Sequence, residues 1–152
     1  MAALAFVFFA CASAGAENWP RFRGPNGQGI SDDKSIPAKW SEQDTCWRIS
    51  LPGGGHSSPV VWDSRVFVTS ADDRTLTGTL LCVDASTGRE LWRKERSLSK
   101  VPLNTLNSYA SLTPALDGER VYVVWSGREE TALTALTHDG DDVWAVTLPA
   151  SR

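Results

Sequence analysis

Apolar residues in this chain fall in short runs of period two, separated every few positions by polar or glycine-bearing turns. Residues 59–62 (PVVW) and 65–70 (RVFVTS) are β-branched and aromatic, with Asp63-Ser64 between them. That pattern predicts two strands joined by a tight hairpin turn. Residues 79–85 (TLLCVDA) and 89–95 (RELWRKE) flank Ser86-Thr87-Gly88, predicting a third and fourth strand around a glycine turn. Further on, "PALD-GE-RVYVVW" repeats the hairpin with Asp117-Gly118 at the bend. Between residues 45 and 150 no segment sustains a helical period with caps. The fold class expected is all-β.

The pattern also repeats. "SSPVVWDSRVFVTS" (57–70) lies over "LTPALDGERVYVVW" (112–125), with Pro59, Arg65, Val66 and Phe67 falling on Pro114, Arg120, Val121 and Tyr122, each 55 apart. "LLCVDASTGRELW" (80–92) lies over "ALTALTHDGDDVW" (132–144), where Leu81, Gly88 and Trp92 match Leu133, Gly140 and Trp144, each 52 apart. On this gapless alignment the three-residue difference falls between "ADDRTLTGT" and "GREET", and Leu136 stands opposite Asp84. Four short strands per unit of this length are the signature of a propeller blade, an architecture shared with WD40 repeats. A third partial copy, "CWRISLP" (46–52), resembles "VWAVTLP" (143–149). It predicts that residues 45–51 form an orphan outer strand, of the kind that closes a propeller ring. The expected organisation is thus an irregular leader at 17–44, the orphan strand, and blades at 57–95 and 111–149. Two blades and a strand make an incomplete ring whose faces need neighbours. The chain is therefore expected to be the N-terminal part of a longer protein, with the missing blades as its first partners.

Composition narrows the function. With 15 Lys and Arg against 18 Asp and Glu, the net charge is −3 and the basic residues are scattered. Nucleic acid is therefore not an expected partner. Residues 1–16 read as a secretory signal peptide: an apolar run from Ala2 to Ala12 is followed by Ala14-Gly15-Ala16 before Glu17. No basic residue precedes that run, and it is too short to span a bilayer. A periplasmic or extracellular location follows, with no transmembrane segment once the signal is removed. Phe8 and Phe9 before Cys11 are bulkier than a lipoprotein cleavage box usually carries. Export permits a disulfide between Cys46 and Cys82, but two positions cannot establish a pairing; buried free thiols are the plainer expectation. There is no CxxC and no Cys-His spacing for zinc.

"CVDASTGRELW" (82–92) resembles the blade motif Ala-x-Asp-x-x-Thr-Gly-x-x-x-Trp of the pyrroloquinoline-quinone-like (PQQ-like) repeat propellers. Cys82 stands at the usual alanine, Asp84 at the acid, Thr87 and Gly88 at the turn and Trp92 at the tryptophan. The second copy keeps Gly140 and Trp144. The segment from Asn18 to Val61 also resembles the leading segment of exported bacterial proteins with this propeller. The family holds two functional classes. One is non-catalytic and includes the BamB-like envelope scaffolds, for which other envelope proteins are the implied partners. The other is the quinoprotein alcohol and sugar dehydrogenases, which bind PQQ and calcium over the central channel. The blade motif belongs to both classes. No cofactor is evident in these residues, so PQQ and calcium enter only with the dehydrogenase reading. The leading expectation is a BamB-like, protein-binding scaffold, with a carbohydrate- or peptide-binding module as a third possibility.

Three clusters invite chemistry. Asp84 is expected to cap its turn, with Gly88 at positive φ and the Trp92 ring docked between blades. "GGGHSSP" (53–59) precedes the innermost strand and places His56, Ser57 and Ser58 near a channel mouth. Nucleophilic catalysis would also need an orienting acid and an oxyanion site, and neither is identifiable. "HDGDD" (138–142) lacks the alternating oxygen ligands of a calcium loop and reads as a solvated turn. The glycine-rich "FRGPNGQG" (22–29) lacks the Lys-Ser/Thr of a phosphate loop and reads as leader, packed on the ring by Trp19 and Trp40. No catalytic or metal-ligating residue is assigned.

Overall fold

The computed structural model describes residues 17–149; the signal peptide expected at 1–16, with Cys11, lies outside the described residues. Eight strands follow one another: β1 (Val60–Trp62), β2 (Arg65–Asp72), β3 (Thr77–Asp84), β4 (Glu90–Ser97), β5 (Ala115–Leu116), β6 (Arg120–Ser126), β7 (Glu130–Thr137) and β8 (Asp142–Pro149). They form two four-stranded antiparallel sheets, ordered β1-β2-β3-β4 and β5-β6-β7-β8. A single 3₁₀ turn (Glu42–Asp44) is the one helical element described, and no described helix is long and apolar enough to cross a membrane. The class is all-β, two meandering blades of a propeller.

Local chemistry explains four of the six hairpin turns. Trp62 pairs with Arg65, so Asp63-Ser64 is a two-residue hairpin loop, with Asp63 at φ 50°. In the second sheet the corresponding bend is held by Asp117, whose Oδ1 accepts from the amides of Glu119 and Arg120 at 2.9 Å each. Gly88 (φ 69°) and Gly140 (φ 92°) occupy the left-handed region in the β3–β4 and β7–β8 turns, where a side chain would be strained.

The core lies between the sheets. Val60, Phe67, Leu80 and Cys82 of the first sheet meet Leu116, Val121, Val123, Trp125 and Leu136 of the second. Alternation along each strand puts these residues on the facing surfaces. Gly78 makes the close approach possible: a Cβ there would lie 2.6 Å from the Trp125 ring. At the inner edge the leader ties the blades together. Trp19 exchanges two 2.9 Å backbone bonds with Val61, and the Pro20 carbonyl accepts from Leu116 at 2.7 Å.

Three expectations change. Residues 45–51 form no strand, and among the described residues no neighbouring strand offers them a ladder. Trp19 packs within the leader, close against Gly24, whereas Trp40 is 76% exposed and packs nothing onto the ring. The alignment of the two repeats also shifts. Arg65 pairs with Asp84 and Arg120 with Thr137, so Thr137, not Leu136, stands at the register of Asp84. Two of the three residues of difference lie in the β2–β3 hairpin. The third lies in the β3–β4 turn, which has one residue more than its counterpart between Thr137 and Gly140.

Candidate functional site

The motif residues form joints between successive units. The Trp92 indole N–H donates to the His138 carbonyl at 2.9 Å, and its ring lies over Gly140, where a Cβ would come within 2.9 Å. Trp47 repeats the arrangement one unit earlier: its N–H donates to the Ala85 carbonyl at 2.8 Å, with its ring 2.6 Å from where a Gly88 Cβ would be. Each glycine therefore seats the tryptophan of the unit before it. Gly88 and Trp92, close in sequence, serve two different joints. Trp144 stands at the same register on β8, opposite Ala135 as Trp92 is opposite Cys82. It meets no such seat among the described residues and is 37% exposed.

Most of the acids singled out in the sequence hold turns or pair across the joint. Asp84 Oδ1 accepts from the Ser86 hydroxyl (2.6 Å) and amide (3.0 Å) and from the Thr87 hydroxyl and amide (2.9 Å each). The Ser86 hydroxyl, then the Thr87 hydroxyl and amide, hold its carboxyl down to about 2, since every bond favours the charged form. Thr137 takes part of this role in the second blade, its hydroxyl accepting from the Asp141 amide at 3.1 Å. Asp117 Oδ2 accepts from the Tyr122 hydroxyl at 2.7 Å, the leading cause of a carboxyl held below its ordinary value. The "HDGDD" cluster is dispersed across the joint: Asp139 pairs with Arg65 at 2.6 Å and Asp142 with Lys94 at 3.3 Å. His138 turns inward, its ring 5.9 Å from that of Trp62 and 5.6 Å from that of Phe67. Its Nε2 is buried with no hydrogen-bond partner among the described residues.

The glycine-rich loop is pinned to the loop that precedes the second blade. The amides of His56 and Ser57 donate to the Ala110 carbonyl at 3.1 and 2.9 Å, and the Ser58 amide donates to the Thr113 hydroxyl at 3.1 Å. Gly54 and Ala71 exchange two backbone bonds of 2.9 and 2.8 Å. A Cβ on Gly53 would overlap the Ala71 carbonyl, and one on Gly55 would press on Ala110. The result is an open cleft of about 420 Å³ lined by Gly53, Gly54, Gly55, Asp72, Arg74 and Ser108. The Ser57 hydroxyl donates to the Ser58 carbonyl at 3.3 Å, and the described hydrogen bonds join neither serine hydroxyl to the His56 imidazole. His56 is exposed, while Ser57 and Ser58 are half-buried.

Among the described residues no three His, Cys, Asp or Glu side chains come together as a metal ion would require. Cys46 and Cys82 are both free, Cys46 exposed rather than buried as expected. Burial chiefly pushes the Cys82 thiol up to about 12, with Arg65 opposing that rise.

A model of the family described as outer membrane protein assembly factor BamB matches residues 38–152. Among solved structures the chain is similar to a europium-containing methanol dehydrogenase, at 20% identity and a TM-score of 0.45 over 59% of this chain. It spans 15% of the length of that dehydrogenase. No curated protein sequence matches it.

Proposed function

The chain belongs to the family of the outer membrane protein assembly factor BamB, and from that premise we propose that it is an exported propeller scaffold that binds envelope proteins and catalyses no reaction. One observation carries the reading: large apolar side chains of the leader stand in solvent. Phe22, Ile30, Ile36 and Trp40 are 58%, 60%, 62% and 76% exposed. Aromatic and aliphatic side chains grouped on one surface segment are the anchors of protein interfaces. The polar groups that invited chemistry, by contrast, hold turns and joints together. His56, Ser57 and Ser58, at the end of the blades where the cleft opens, are proposed to contact the bound protein.

A photo-crosslinker placed at Trp40 tests the proposal. It should yield discrete adducts with envelope proteins, identified by mass spectrometry. Phe22→Ser with Ile36→Ser should remove them without changing the far-ultraviolet circular dichroism. The alternative is part of a PQQ-dependent alcohol or sugar dehydrogenase. Dye-linked oxidation of alcohols or sugars by protein purified from its own cells, dependent on added PQQ and calcium, would overturn the scaffold reading in its favour.

A further inference from the structure

The joint between the two blades departs from the chain's own repeat. The outer-strand motif stands three times, as "CWRISLP" (46–52), "LWRKERS" (91–97) and "VWAVTLP" (143–149). Two and four residues beyond the tryptophan, the first copy has Ile49 and Leu51 and the third has Val146 and Leu148. The second copy has Lys94 and Arg96 there. Alternation along β4 sets this pair, with Trp92, on the face toward the second sheet. There Lys94 meets Asp142 at 3.3 Å and Arg96 meets Glu130 at 3.6 Å.

Branched apolar side chains at these positions would pack down on the facing sheet, whereas long cationic ones carry their heads across to the rim. What they leave is a crevice of about 230 Å³ whose lining includes Lys94, Arg96, Leu80, Val123, Trp125 and Leu136. Both of its walls belong to blades that follow one another within the described residues, so the crevice is a property of the joint itself. We propose that it is a binding site for a small monocarboxylate with a compact apolar body.

The floor suits the body and the rim suits the head. Leu80, Val123, Trp125 and Leu136 are buried, and the Trp125 ring is fixed by its close approach to Gly78. Benzene fills an apolar cavity of about 150 Å³, so this crevice has room for a ring with a short carboxylate arm. At the rim, the 3.6 Å contact of Arg96 with Glu130 is too long for a hydrogen bond. The planar guanidinium fork is therefore open to a carboxylate. Lys94 spends one donor on Asp142, at 3.3 Å, and keeps two. Asp142 and Glu130 are more than half exposed, so water takes over their solvation when a bound carboxylate displaces them. The remaining acid of the lining, Glu95, faces Arg93 on its own strand at 3.9 Å.

Equilibrium dialysis of the whole chain against phenylacetate tests the proposal, with the Trp125 indole resonance, assigned through Trp125→Phe, reporting the place. Binding should saturate with a dissociation constant of about a millimolar or tighter and should move that resonance. Phenylacetamide, which keeps the ring and lacks the charge, should bind at least about tenfold more weakly. Arg96→Gln should weaken phenylacetate at least about tenfold and leave phenylacetamide unchanged, a split that general loosening of the joint would not give. Lys94→Ile with Arg96→Leu, which restores the side chains of residues 46–52, should close the crevice and abolish binding of both without lowering the urea midpoint. Absence of saturable binding overturns the proposal, and so does equal affinity for the amide. Binding that survives the double substitution, or leaves the Trp125 resonance unmoved, overturns it as well.

Discussion

Asp84 shows how a carboxylate in a suggestive position can be committed to backbone geometry. One oxygen accepts four bonds from Ser86 and Thr87, and the folded carboxyl is held at about 2 against an ordinary 3.8. A depressed folded value means that the contribution to stability is present above the ordinary value and is lost as pH falls toward about 2. The Asp84 carboxyl resonance should therefore titrate near pH 2 in the folded protein, and Asp84→Ala should flatten the fall in melting temperature over that acid window. A titration at the ordinary carboxylate value would show that the turn bonds are not made in solution. Cys82 is the opposite case. Its thiol, pushed up to about 12 by burial, is almost wholly protonated at pH 8, whereas Cys46 is exposed. In a Cys11→Ser protein, iodoacetamide at pH 8 should alkylate Cys46 while the protein is folded and reach Cys82 only on unfolding. Equal labelling of both thiols would contradict the burial of β3.

At the scale of the element, the β3–β4 and β7–β8 turns are half of a joint whose other half lies one unit earlier. Gly140→Ala adds a Cβ 2.9 Å from the Trp92 ring at φ 92°. Left-handed strain together with the displaced indole should cost about 2–4 kcal/mol in urea unfolding. Trp144→Ala, at the same motif position but exposed against Tyr122, should cost less than about 1 kcal/mol. Equal costs would mean that the motif tryptophan stabilises its own hairpin rather than the joint. The strands were legible because period-two alternation and the turn glycines are local signals. The joint was not, because the partner of Gly88 is Trp47, far away in sequence, and the shared motif suggests the nearby Trp92 instead. Thr137 was hidden for a related reason: the shorter second turn moves the register by one residue, and a threonine hydroxyl stands where the first blade has a carboxylate. The inward turn of His138 onto Trp62 and Phe67 left no sequence signal, since an HDGDD stretch is solvated by default.

Across the whole molecule, ion pairs and an apolar layer span the joint beside the Trp92–His138 hydrogen bond, and their magnitudes rank the two. Arg65–Asp139, Lys94–Asp142 and Arg96–Glu130 cross the joint at 2.6, 3.3 and 3.6 Å. Each has at least one partner more than half exposed, and such pairs contribute about 0–1 kcal/mol apiece. Beneath them lie Phe67, Leu80, Val121, Val123, Trp125 and Leu136, buried between the sheets, where full burial of each side chain is worth about 1.5–3 kcal/mol. The apolar layer therefore dominates, and the ion pairs set register and partner choice rather than strength. At 1 M sodium chloride the screening length falls to about 3 Å. Urea unfolding of the chain, followed by tryptophan fluorescence, should then change by less than about 1 kcal/mol between low salt and 1 M. Val123→Ala at the joint, by comparison, should cost about 2–3 kcal/mol. A salt effect larger than that of the valine substitution would reverse the ranking and make charge the force that holds one blade on the next.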